Sequence, residues 1–149
     1  PESIRLPQIF QHHDIAPTLL EAAGLPIPEA MDGQSFWKLL TGEEQDGGRD
    51  AAISLECTWQ AKWCWRTHDF KFILARDVGF GGGPPREFYD LVADSQEEHN
   101  IAGERPGIVA ALEADLEDWI AEHLQALGRR EDPLREQGIS LRALWPDTS

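Results

Sequence analysis

The chain has 149 residues, six of them tryptophan, and a formal net charge of −14. That length and apolar content allow a domain with a real core, while the charge excludes nucleic acid and anionic membranes as partners and argues against this stretch gripping a sulfate or phosphate ester by itself. No run is long enough to span a bilayer, and two cysteines, Cys57 and Cys64, make neither a disulfide framework nor a zinc site, so both are read as reduced and half-buried and the compartment stays open.

Ile4, Leu6, Ile9 and Phe10 predict a buried strand that runs into a helix over Asp14–Ala23. Asp14 is the expected N-cap, its carboxylate accepting the Ala16 N–H. Pro17 falls in the first turn, where a missing N–H is tolerated. Ile15, Leu19, Leu20 and Ala23 recur at helical spacing and predict one apolar face. Gly24 suits the left-handed residue after the helix, and Pro26 and Pro28 forbid continuation. A chain that begins in the middle of a strand pattern, at Pro1, is read as a fragment of something longer. Residues 35–40 predict a short helix with Ser35 or Asp32 near its cap and Gly42 beyond its end. Glu43 to Asp50 is polar and aperiodic, an expected exposed linker and the best domain boundary.

The period then changes to two. Strands are predicted over Ala51–Trp59, around Trp63 and Trp65, from Phe70 to Leu74, and from Glu87 to Leu91. Only His68-Asp69 separates the second and third, which predicts a tight hairpin. Asp77–Pro85, with four glycines, is a loop. Asp94 to Glu98 suggests one capped turn. A long helix follows, with Pro106 in its first turn. Its expected apolar stripe is Ile108, Leu112, Leu116, Trp119, Ile120, Leu124 and Leu127, and its expected wet face is Glu113, Asp115, Glu117, Asp118 and Glu122. Gly128 stops it. A one-sided antiparallel sheet needs a cover, and this helix supplies it. Asp132–Ser149 reads as a tail with little pattern, from which Leu141, Leu144 and Trp145 are candidates to dock.

No nucleophile, base and orienting group assemble anywhere in the chain. The Gly79–Gly83 run lacks the following helix and Lys-Ser/Thr of a phosphate loop. His12, His13 and Asp14 invite a metal, but neighbouring side chains on a strand point to opposite faces. No catalytic or metal-binding residue is therefore assigned. The candidates for a substrate rim are His13 and an aromatic wall of Trp59, Trp63 and Trp65, for which core packing is the competing reading.

Two blocks of sequence carry a resemblance. The first is His13-Asp14-Ile15-Ala16-Pro17-Thr18-Leu19-Leu20, Gly24-Leu25-Pro26 and Met31-Asp32-Gly33-Gln34-Ser35-Phe36. It resembles the C-terminal end of the catalytic domain in the alkaline phosphatase superfamily. The second is Arg66, Phe70-Lys71-Phe72-Ile73, Glu87-Phe88-Tyr89-Asp90-Leu91, Asp94, Glu97, Asn100-Ile101-Ala102 and Pro106. It resembles the C-terminal subdomain of sulfatases, with Ser95 where that pattern usually has Pro. Together the blocks cover about Leu6 to Leu127. The resemblance implies an α+β fold: a four-stranded antiparallel sheet packed by a long C-terminal helix, preceded by a strand–helix remnant of the α/β catalytic domain. The implied division is 1–45 for the catalytic-domain end, 46–130 for the subdomain and 131–149 for the tail.

It also implies that the chain is the C-terminal portion of a sulfatase, structural and at the pocket rim, without a complete active site of its own. The parent enzyme would use calcium or another divalent cation and a formylglycine made from a Cys/Ser-x-Pro-x-Arg motif. Cys57 is followed by Thr-Trp-Gln and Cys64 by Trp-Arg-Thr, so neither fits, and no cofactor is expected in this stretch. The implied partner is the N-terminal catalytic domain, with a homo-oligomer interface as a further role. Two alternatives stand beside this reading: a phosphonate or phosphodiester hydrolase of the same superfamily, and a stand-alone, non-catalytic interaction module.

Overall fold

A computed structural model describes residues 4–140. The chain divides into two compact units that meet between Ala52 and Ile53. In the first, a 3-10 turn over His12–Asp14 leads into α1 (Ile15–Ala22), and α2 covers Trp37–Thr41. α1 stops as its sequence dictates. Gly24 adopts φ +69°, its N–H reaching the Glu21 carbonyl and the Leu25 N–H reaching back to the Leu20 carbonyl, the double bond of a Schellman stop. α2 ends likewise on left-handed Gly42, and the Ser35 hydroxyl accepts from the Trp37 N–H at its start.

One expectation for this unit needs correction. The leading strand is absent. Ile9 makes a single antiparallel bridge to Arg49, and Ile4 is exposed. A strand needs a ladder, and here Pro7 withholds a donor and one rung is all the partner offers. The apolar face of α1 is largely left uncovered within this unit. Pro17 and Thr18 are buried, while Ile15 and Leu19 are 45% and 64% exposed. Polar anchoring by Asp14 and Thr18, four residues apart, turns the apolar stripe outward.

The second unit is a four-stranded antiparallel sheet in the order β1 (Ala52–Glu56), β2 (Ala61–Arg66), β3 (Phe70–Asp77), β4 (Arg86–Asp90), with β1 beginning one residue before the division. The β2–β3 hairpin turns on His68-Asp69 as expected. Arg66 pairs with Lys71, and the Thr67 N–H closes onto the Phe70 carbonyl at 2.9 Å. Thr67 Oγ1 also accepts from the Asp69 and Phe70 N–H groups, which stands in for the glycine that such turns usually carry. Alternation then decides the faces. Ala61, Trp63, Phe72, Leu74 and Phe88 point to one side and are buried there under α3 (Pro106–Ala126) through Val109, Leu116 and Ile120.

The helix stripe is shorter than expected. Ile108 and Leu127 are 48% and 75% exposed, and Val109 does the packing at the N-terminal end. The expected wet face is also partly dry, since Glu113 pairs with Arg86 and Glu117 with Arg76 and Arg135. Nor does the chain trail off after α3. Asp132 caps α4 (Pro133–Glu136) by accepting the Leu134 N–H, and Leu134 and Ile139 are buried in the core. Leu141, Leu144 and Trp145 lie outside the described residues.

The loop after β3 is fixed by one glycine. Gly79 has φ +76°, and a Cβ there would stand 2.1 Å from the Trp59 carbonyl oxygen. Gly79→Ala is expected to lower stability by about 1–3 kcal/mol, since backbone must move on both sides of the contact. Thermal unfolding of the variant checks it, and an unchanged Tm would mean that the two loops are not in contact.

Candidate functional site

Asp14 is the polar centre of the first unit. It is 1% exposed, and its carboxylate faces away from the amide it was expected to cap. Oδ2 accepts from the Gln11 N–H (2.8 Å) and Arg49 Nε (3.1 Å), and Oδ1 from the Gln34 N–H (2.8 Å) and Arg49 Nη2 (2.6 Å). Four donors fill the acceptor capacity of an ionised carboxylate. Burial by itself would push the Asp14 carboxyl up. The Arg49 hydrogen bonds and the two backbone N–H groups outweigh it and hold the group well below the usual carboxylate range. The same contact raises Arg49 above its ordinary value. Arg49 is thus a fixed part of this unit, not a member of an exposed linker.

Thr18 extends the cluster, donating from its hydroxyl to the Asp14 carbonyl and accepting from the Phe36 N–H. Gly33 lies against the His13 backbone, where a Cβ would come 2.0 Å from the carbonyl oxygen. His13 itself is half-exposed, with Nε2 2.9 Å from Arg49 Nη2. A metal shared by His12, His13 and Asp14 has no room, because the guanidinium occupies the position a cation would take.

Of the four rim candidates, the three tryptophans lie in the second unit and differ in burial. Trp63 is core: it is buried, meets Trp119 edge-on at 6.3 Å, and donates its indole N–H to Asp132 Oδ2 at 3.1 Å. Trp65, two positions along the same face of β2, is half-buried against that core, and its indole N–H is buried without an acceptor. Trp59 is 64% exposed on the β1–β2 turn. That turn is rigid because the Glu56 carboxylate accepts the N–H groups of Thr58, Trp59 and Gln60. His13 sits in the first unit.

The residues that carry the second sequence block turn out to be joinery. Glu97 is the one non-glycine residue with a left-handed backbone, φ 59°, among those described, and its carboxylate ties Arg66 to Lys71. Asn100 Oδ1 accepts from the Phe88 and Ala102 N–H groups while its amide donates to the Arg86 carbonyl. The Ile101 N–H then reaches the Phe88 carbonyl, so the outer edge of β4 is closed. Asp90 and Asp94 accept backbone N–H groups of the turns that follow them. On the sheet face away from α3, Lys62, Glu87 and Tyr89 form a chain. Burial, opposed by the Lys62 and Tyr89 hydrogen bonds, leaves the Glu87 carboxyl lowered, and burial together with Glu87 pushes the Tyr89 hydroxyl up to about 12.

Three residues that organise these units escaped the sequence reading: Arg49, Arg76 and Asp132. Arg76 is nearly buried between Glu117 and Asp132, and burial is outweighed by those two carboxylates so that its guanidinium is raised. The Asp132-Pro133 pair, a cap residue before a first-turn proline, was a usable signal for α4.

Among the described residues, reactive chemistry is not assembled. Burial pushes the Cys64 thiol up, the opposite of what a nucleophile needs, and both cysteines are free and outside any Cys-x-Pro-x-Arg context. Among the described residues Asp94, Glu98 and His99 place ligand atoms within 4.8 Å of one another, but Asp94 is already used by the His99 N–H. Two open hollows of about 460 and 470 Å³ flank the start of α3 and are lined mainly by apolar side chains.

Comparison with known proteins fits this picture of a supporting portion. The family described as N-sulphoglucosamine sulphohydrolase, C-terminal, matches residues 2–126. Arylsulfatase K of Gallus gallus is 31% identical over 112 residues, covering 69% of this chain and 20% of its own length, and that of Bos taurus is 27% identical over 118 residues, covering 72% and 21%. The chain thus spans about a fifth of the length of these curated relatives. Among solved structures, a sulfatase from Bacteroides thetaiotaomicron superposes with a TM-score of 0.58 at 27% identity, over 73% of this chain and 24% of that one. A 2-O GAG sulfatase gives 0.59 at 25% identity over 80% and 27%, and the phosphonate monoester hydrolase of Agrobacterium radiobacter gives 0.55 at 25% over 74% and 24%. By the extent of its family match and by its fold, the chain belongs to the N-sulphoglucosamine sulphohydrolase C-terminal family, the C-terminal portion of sulfatases.

Proposed function

We propose that this chain completes a sulfatase that hydrolyses sulfate esters, the names of its structural neighbours favouring sulfated sugars. In this reading residues 1–45 are the end of the catalytic domain, 46–130 the subdomain that closes it, and 131–149 the tail. The observation that carries the reading is the family match over residues 2–126. The exposed stripe of Ile15, Leu19 and Leu25 supports it, because apolar surface on that scale is suited to being covered by the catalytic domain. The divalent cation and the formylglycine belong to that domain. His13 and Trp59 are the rim residues this reading retains. A phosphonate ester is the second reading, favoured by the similar superposition of the Agrobacterium radiobacter enzyme.

The test is turnover. Residues 1–149 alone are expected to hydrolyse neither an aryl sulfate nor a phenylphosphonate ester, with or without calcium or manganese, because the described residues do not gather a nucleophile and basic groups at one place to stabilise the departing charge. The longer enzyme should turn over the sulfate with the higher kcat/KM. Metal-dependent turnover by the short chain would overturn the division of labour. A higher kcat/KM for the phosphonate would favour the second reading, and no turnover by the longer protein would leave an interaction module.

A further inference from the structure

We propose that Arg49 is a positioning residue that fixes the tautomer of His13, so that His13 offers its Nδ1–H as a single directed donor to an oxygen of the bound anionic ester. The substrate contact rests on the sulfatase reading above, while the tautomer rests on geometry alone. An arginine side chain can only donate. At 2.9 Å from Arg49 Nη2, His13 Nε2 must therefore be the acceptor, and the ring proton of the neutral imidazole must be on Nδ1. Protonating Nε2 would set two N–H groups against each other. Asp14 Oδ1, 3.6 Å from Nε2, is no alternative partner, because Arg49 and the Gln34 N–H already fill it.

Arg49 is held for this task. Both its Nε and Nη2 lie on the buried Asp14 carboxylate, and only the outer side of Nη2 is left for the histidine. The His13 backbone is pinned from the other side by Gly33. The result is an imidazole with Nε2 committed to Arg49 and Nδ1 without a partner among the described residues, on a side chain 46% exposed beside an aspartate that is 1% exposed. A donor with fixed direction suits an oxygen of a strongly acidic ester, which accepts hydrogen bonds and has no proton to give.

Two measurements test this. In the 149-residue chain, nitrogen NMR of His13, assigned by its loss in His13→Asn, should show Nε2 as the unprotonated nitrogen and Nδ1 as the protonated one. A protonated Nε2 would overturn the proposal. In the longer enzyme, His13→Gln, whose amide nitrogen reaches toward the Nε2 position, should raise KM for an aryl sulfate about tenfold with kcat little changed. His13→Asn, whose amide nitrogen falls near Nδ1, should restore most of the loss. Wild-type KM in both variants would overturn the contact with the ester and assign the Nδ1–H to a protein carbonyl. If the wild-type enzyme turns over neither sulfate nor phosphonate, the sulfatase reading fails and the ester contact with it, while the NMR result separately decides the tautomer.

Discussion

Leu116→Asp is expected to unfold the second unit at a much lower urea concentration than the unsubstituted chain, a loss of about 4 kcal/mol. Leu116 is 0% exposed and sits where α3 crosses the sheet, among Phe72, Trp63 and Ile120. The substitution removes a large apolar side chain and places a carboxylate where no described donor waits for it. The informative comparison is the next residue. The sequence puts Glu117 on the wet face, where Glu117→Ala would change little. In the structure it grips Arg76 and Arg135, so its loss is expected to cost about 1–2 kcal/mol, with Asp132 still holding Arg76. A silent Glu117→Ala would show that the ion pair is a surface ornament, and equal losses from both variants would mean that the face of the helix is wrong.

Breaking the Asp14–Arg49 pair should have the largest effect in the first unit. Arg49→Met leaves a buried carboxylate with two amide donors and no counter-charge, an expected loss of about 3–5 kcal/mol. Hydrogen exchange at the α1 amides measures it locally, which matters because the chain has two units and a global melt would average them. The pH dependence has a definite sign. The folded Asp14 carboxyl is lowered, so its contribution is complete above the unfolded carboxylate range and is lost as pH falls through the folded value. Protection of α1 should therefore persist at pH 4 in the unsubstituted chain, and the acid-dependent loss should disappear in Arg49→Met. A pH-independent α1 in the unsubstituted chain would mean that Asp14 is not ionised in the fold.

Period and punctuation made most of the second unit legible. Trp63 and Trp65, Phe70 to Leu74, the two-residue turn and the apolar run of α3 all follow from local alternation or helical spacing, and each element needs only its neighbours to explain it. What the sequence hid was polar and long-range. Arg49 reaches a carboxylate 35 positions away, Trp63 an aspartate 69 away, and Arg76 one 56 away. No periodicity marks such pairs, because a buried ion pair needs only one residue from each segment. The same blindness hid what α1 turns inward, where Asp14 and Thr18 make polar contacts that no spacing marks. The place of Trp63 was hidden in another way. Trp63 carries an N–H that must be satisfied when buried, and the partner that satisfies it, Asp132, lay in what read as a patternless tail.

The closed edge of β4 has a consequence for behaviour at high concentration. With the Phe88 N–H and carbonyl and the Arg86 carbonyl all engaged by Asn100 and Ile101, that side offers a foreign strand nothing to bind. The opposite margin has no such seal: no described strand lies along the outer side of β1, and Leu55 stands 48% exposed on that strand. Recruitment of a second chain by strand addition is therefore one-sided. Aggregates of the free chain should grow from Ala52–Glu56, and a lysine or proline placed there, not near β4, is the change that would keep it in solution.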